Sequence, residues 1–197
     1  MMASPRVRAK RDRRRTEILH AALRAFRDRG YHATTLDDIA ERLGVGKTAL
    51  YHYFPDKEAI LLACHQESLA ELDRILRGAR RYASATERLA YLIREHVRVM
   101  TDTLEGSPLA FEVPALSPER QRPIIAARDR YERVLRRVIG EGIAAGEFRE
   151  ADPKIAAFAI LGAINWIARW YRPEGTVHAE ELGRQFADHL VGGLTCG

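Results

Sequence analysis

The 197 residues carry 46% apolar side chains, enough to fill a core, and a net charge of +5. No run of about 18 apolar residues offers a membrane span, and the basic N-terminus lacks the apolar stretch of a secretion signal. Cys64 and Cys196 stand far apart in neither disulfide nor metal spacing, so a reducing cytoplasm is expected, with Cys64 a buried free thiol.

The positive charge is confined to one end. Residues 1–15 hold seven Lys and Arg, among them Arg11 and Arg14, against Asp12 alone; residues 16–60 hold six basic and seven acidic side chains, and the remainder nineteen of each. Such an arm suits a polyanion, because each cation placed on a phosphate releases counterions. A solvated solubility tail is an equally good reading of the arm taken alone.

Helical punctuation then runs throughout. Ile18, Leu19, Ala22, Leu23 and Phe26 recur at three- and four-residue spacing and stop at Gly30. Thr35, with Asp38 three residues on, opens a second helix in capping-box form; it buries Leu36, Ile39, Ala40 and Leu43 and ends at Gly44. A third helix of about Lys47–Tyr53 is closed by Pro55, and Asp56 caps a long fourth carrying Ile60, Leu61, Cys64, Leu69, Leu72 and Ile75. Thr86 to about Thr103 reads as one helix. After the interruption GSPLAFEVPALSPE come helices from Ser117 to Gly146, from Asp152-Pro153 to Tyr171, and over Ala179–Leu194. No alternating strand pattern occurs, so the fold class is all-α, divided into a basic arm (1–15), a three-helix helix-turn-helix domain (16–55) and a larger helical domain (56–197). The helix of 153–171 is apolar around nearly its whole circumference. It therefore predicts a second copy of the chain against one face, with Ala157, Gly162 and Ala163 allowing close approach.

The stretch GVGKTALYHYF (44–54) admits two chemistries. A phosphate loop needs a glycine at position 41 and a strand before it; the chain has Glu41 and a helical pattern. A helix-turn-helix needs two short helices about a three- or four-residue turn, which residues 35–54 supply. At about 100° per residue, Lys47, Thr48, Tyr51 and His52 share one arc of the third helix, with Ala49, Leu50 and Tyr53 mostly opposite. That arc offers donors and stacking groups to phosphates and base edges. His20, His65 and His96 read as helix-surface or core-edge residues. No catalytic set or metal-ligand spacing stands out, and no cofactor is called for.

The segment ATTLDDIAERLGVGKTALYHYFPDKEAIL (33–61) resembles the DNA-binding segment of TetR-family transcriptional regulators. The resemblance implies a homodimer whose recognition helices enter successive major grooves of a near-palindromic duplex operator. Lys47, Thr48 and Ala49 would face base edges, and Tyr51 and His52 a phosphate or thymine methyl. Thr35 and Lys57 would hold the sugar-phosphate backbone, and Tyr53 would touch phosphate or pack. GAINWIARWYRPEG (162–175) and the following AEELGRQFADHLVGGL are similar to the subset that controls fatty-acid or steroid breakdown and responds to acyl-CoA thioesters. That implies an apolar tunnel, for which Met100, Leu104, Phe111, Tyr131 and Ile164 are the candidates. It also implies a CoA site, for which Trp166, Arg169, Trp170 and Arg172 are; Arg169 would otherwise pair with Glu132 or Glu141. A repressor answering to drugs or other hydrophobic ligands, and an architectural DNA binder with no effector, are the alternatives.

Overall fold

Eight α-helices and three short 3-10 or π turns make up the described residues, 5–104 and 109–195, of a computed structural model. Cys196, residues 1–4 of the arm, and residues 105–108 of the Pro-rich interruption lie outside them.

Helix α1 spans Pro5–Arg29, so the described part of the basic arm is not a separate strand of chain but the first turns of this helix. Nothing between Pro5 and Ile18 breaks a helix, and Arg13 and Arg14 both reach Glu17 one turn on. Helix α2 (Leu36–Arg42) starts on the expected Thr35–Asp38 capping box. Helix α3 is shorter than the sequence suggests, Lys47–Tyr51 with His52 as its C-cap. Asp56 caps α4 (Lys57–Ala79), accepting from the Ala59 amide at 2.6 Å.

The helix expected from Thr86 to Thr103 is two elements. Ser84 and Glu87 form a capping box at the start of α5 (Ala85–Arg98), and a π turn follows over Val99–Thr103. The Thr101 hydroxyl donates into the carbonyls of Val97 and Arg98, 3.1 and 3.2 Å away, and the Leu104 amide reaches back five residues to Val99 at 2.9 Å. A hydroxyl inserted into the carbonyl ladder in this way widens the turn. Helices α6 (Pro118–Ala144), α7 (Pro153–Trp170) and α8 (Ala179–Gly192) follow.

Helix α5 lies at the centre of the larger unit, packed against α4, α6, α7 and α8. Gly183 of α8 permits the close approach, since a Cβ there would meet the Arg94 carbonyl at 3.3 Å. The Glu147 carboxylate, in the α6–α7 turn, accepts from the Ala85 and Thr86 amides at the head of α5; those bonds hold its pKa below the usual carboxylate range. Helix α1 packs on α2 and on α4, which continues into the larger unit. Helix α7 turns Ala157, Ile160, Ile164 and Ile167 inward and leaves Ile155, Phe158 and Trp166 at 63%, 50% and 60% exposure. Ala157, expected at the face for a second copy, is thus inside the chain's own core; Gly162 is exposed and Ala163 half-buried.

Candidate nucleic-acid interface and effector cavity

The turn between α2 and α3 is built by Gly44 at φ +64. The Val45 amide reaches the Ala40 carbonyl and the Gly44 amide that of Glu41, both at about 3.0 Å, which is the Schellman closure requiring a left-handed residue at that place. Leu50 and Phe54 are buried anchors. With α3 pinned by them, Lys47, Thr48, Tyr51 and His52 face solvent together, and Ala49 and Tyr53 are half-buried beside them. The Lys47 ammonium pairs with Asp37 at 2.8 Å, and this bond raises its pKa. Both partners are open to water, so a phosphate or base edge can take the ammonium at small cost. Arg11 is exposed on α1; Arg14 is half-buried and held by Glu17 at 2.6 Å.

Two residues assigned to the phosphate backbone are occupied elsewhere. The Thr35 hydroxyl donates to Asp38 at 2.7 Å, and its amide donates to the same carboxylate at 2.8 Å, so both of its donors serve the cap. The Lys57 ammonium sits 4.4 Å from the centre of the Tyr31 ring and donates to the carbonyls of Tyr31, His32 and Thr34, at 2.8, 3.2 and 2.7 Å. An ammonium has three N–H donors, and all three close the α1–α2 loop.

A cavity of about 100 Å³ opens among α4, α5, α6, α7 and the π turn. Of the tunnel candidates, Met100, Leu104 and Tyr131 line it, the first two at the π turn. Ile164 is buried in the core but is not in the wall. Phe111 is 43% exposed outside it, next to the wall residues Leu109 and Ala110, with the Arg169 guanidinium 4.8 Å from its ring centre. Arg169 therefore does not pair with Glu132 or Glu141, which bind Arg136 and Arg88. Trp166 and Trp170 point to solvent at 60% and 42% exposure, and Arg172 is exposed, bonded to the Tyr171 carbonyl.

The polar groups of the wall went unrecognised in the sequence. His65 and His96 are buried, not surface residues, and both line the cavity together with Arg128. The signal was present in the spacing. His65 lies one turn from Leu61 and Leu69, and Arg128 one turn from Ile124 and Tyr131, so each continues an apolar stripe. Desolvation, aided by the nearby Arg128 charge, pushes the His65 pKa down to about 3 and that of His96 to about 4, so both are neutral at pH 7. Burial also lowers the Arg128 pKa and raises that of Tyr131.

Comparison with known proteins agrees with both halves of this architecture. The family of bacterial regulatory proteins, tetR family, matches residues 18–64, and the tetracyclin repressor-like C-terminal domain matches residues 82–194. The chain belongs to the TetR family. Among TetR-family relatives, the HTH-type transcriptional repressor KstR2 of Mycolicibacterium smegmatis is 30% identical, over 92% of this chain and 91% of its own. The fatty acid metabolism regulator protein of Bacillus subtilis is 26% identical, over 90% of this chain and 94% of its own. The crystal structure of AibR in complex with isovaleryl coenzyme A and operator DNA superposes with a TM-score of 0.77 at 30% identity, covering 92% of this chain and 98% of that one. The TetR helix-turn-helix is thus α2 and α3, and the helical C-terminal domain of the family holds the cavity.

Proposed function

We propose that the protein is a cytoplasmic, homodimeric transcriptional repressor that holds a near-palindromic operator with two copies of α3 and releases it when an acyl-CoA thioester occupies the cavity. The observation that carries this is an outward polar arc on α3 together with an internal cavity walled by α4, the long helix that follows α3 in the chain. Lys47, Thr48, Tyr51 and His52 would read the major groove, with Ala49 and Tyr53 at its wall and Arg11 and Arg14 on flanking phosphates. Residues 16–55 form the reading unit; residues 56–197 bind the effector and the second copy, the latter through the stripe Ile155, Phe158 and Trp166.

Coupling would run through α4. His65, Leu69 and Leu72 stand in the cavity wall, while Glu58, two turns earlier, accepts from the Ser117 amide at 2.7 Å and pairs with Arg120 of α6 at 3.1 Å. A ligand that parts α4 from α6 pulls on the base of the DNA-reading unit, and it shifts the balance only by its affinity difference between the two arrangements. The present cavity is somewhat smaller than the roughly 150 Å³ that takes a benzene, which favours a short acyl group or one that opens the wall. Arg169, stacked on Phe111 beside the wall, is a cation available outside it for CoA phosphates. The isovaleryl coenzyme A complex of AibR supports a thioester over a drug as effector.

The test is an anisotropy titration on duplex DNA from immediately upstream of its own gene, with and without a panel of acyl-CoA thioesters, free acids and cationic drugs. Specific binding should fall at least about tenfold in Lys47→Ala, with the dimer intact. Wild-type affinity in that variant rejects the α3 assignment, and release by drugs alone rejects the thioester.

A further inference from the structure

The cavity carries polar groups that the protein itself does not pair. His65 Nε2, His96 Nδ1 and the Tyr131 hydroxyl are buried without a partner among the described residues. Arg128 Nη2 lies 3.4 Å from His65 Nδ1, and a guanidinium can only donate. His65 Nδ1 is therefore the acceptor, and the proton of the neutral ring sits on Nε2, the atom left without a partner. Arg128 gives one bond to the Ala110 carbonyl at 2.9 Å and has no carboxylate partner among the described residues. The His96 and Tyr131 rings meet edge to face at 5.1 Å, which holds these two orphaned groups together. The rest of the wall is mostly apolar, with Leu72, Met100 and Leu104, and includes the polar side chains of Ser68 and Asn165.

Arg128 is half-buried, and a guanidinium partly withdrawn from water with no acid beside it is stabilised by anything that supplies the negative end. Water could satisfy the donors and partly solvate the guanidinium, but it brings no opposite charge. An apolar ligand tip would leave all of them unsatisfied. We infer that the group received by this cavity is a carboxylate on a short apolar stem, gripped by Arg128, His65 and Tyr131. Its two oxygens offer about four lone-pair directions, matching those donors, and the stem lies along Leu72 and Met100. Read with the acyl-thioester proposal above, on which only the remainder of the ligand rests, the effector is the monothioester of a short dicarboxylic acid.

The experiment is calorimetric titration of the full-length protein with glutaryl-CoA, butyryl-CoA, free glutarate and CoA alone. Glutaryl-CoA should bind between about ten- and a hundredfold more tightly than butyryl-CoA. Arg128→Met should erase that preference while leaving DNA binding intact, and Tyr131→Phe, which removes only the hydroxyl, should reduce it about tenfold or less. Equal affinities, or a preference for butyryl-CoA, overturn the carboxylate and leave the thioester standing. Binding of free glutarate in an Arg128-dependent manner, with no response to either thioester, upholds the carboxylate and removes the thioester. Silence in every arm removes both. If Arg128→Met does not fold, an unchanged preference in Tyr131→Phe decides against the inference.

Discussion

Replacing Lys57 by Met separates two explanations of why a lysine stands at the head of α4. If its ammonium holds the α1–α2 loop, the variant strands the carbonyls of Tyr31, His32 and Thr34, now bonded at 2.8, 3.2 and 2.7 Å. The methionine still covers the Tyr31 ring, so little packing is lost. A hydrogen bond to a charged group contributes about 1.5–3 kcal/mol when sheltered. Lys57 is only half-buried, and water can reach part of the loop, so the three together are expected to contribute on the order of 3 kcal/mol. That loss should appear in urea unfolding and as faster amide exchange at Thr34, whose amide bonds the clamped Tyr31 carbonyl. The complementary measurement is the salt dependence of binding to a non-specific duplex. A clamp leaves the slope nearly unchanged, whereas a phosphate contact contributes about 0.9 per subunit to it. Unaltered stability with a slope reduced by about that amount would falsify the clamp and restore Lys57 to the phosphate backbone.

Acidification should destabilise the protein before its carboxylates titrate. The folded pKa values of His65 and His96 lie near 3 and 4, well below the ordinary 6.5, so the stability they confer is full above pH 6.5 and lost as pH falls toward 4. Between pH 7 and 5 the two together should remove roughly 3–4 kcal/mol, and thermal melts of His96→Asn should show about half that dependence. Gly142→Ala would place a Cβ 2.2 Å from a Phe148 ring carbon and 3.0 Å from the Ala85 side chain. A cost of about 1–3 kcal/mol is expected in urea unfolding despite the better helix former, and a stabilised variant would contradict the packing described for the α6–α7 turn. Phe158→Glu on the exposed face of α7 should convert a sedimenting dimer to a monomer without loss of helix content by circular dichroism; a persistent dimer would move the interface elsewhere.

Much of the architecture was legible in the order of residues because its causes are local. The Thr35–Asp38 box, the Asp56 cap and the Asp152-Pro153 start each bond within three or four positions, and Gly44 must be left-handed for the α2–α3 turn to close. The exposed arc of α3 follows from helical period and from Leu50 pointing the other way. Less visible were effects with a partner distant in the chain. Lys57 looks like a phosphate ligand until the loop some 25 residues earlier folds over it. Trp166 looks like a stacking platform for a ligand, yet only the packing of α7 on α5 and α6 decides that it faces outward.

The cavity marks the boundary most clearly. Its apolar wall residues could be named from spacing, because a residue one turn along an apolar stripe faces the same way. That Arg128 and His65 join Tyr131 there could not, since α4 and α6 bring together positions 63 apart in the chain. Sequence alone determined the helices, their caps and the family to which they belong. Tertiary packing alone decided which polar side chains were deprived of water, and burial without a partner is what turns an ordinary histidine or arginine into a group that needs a ligand.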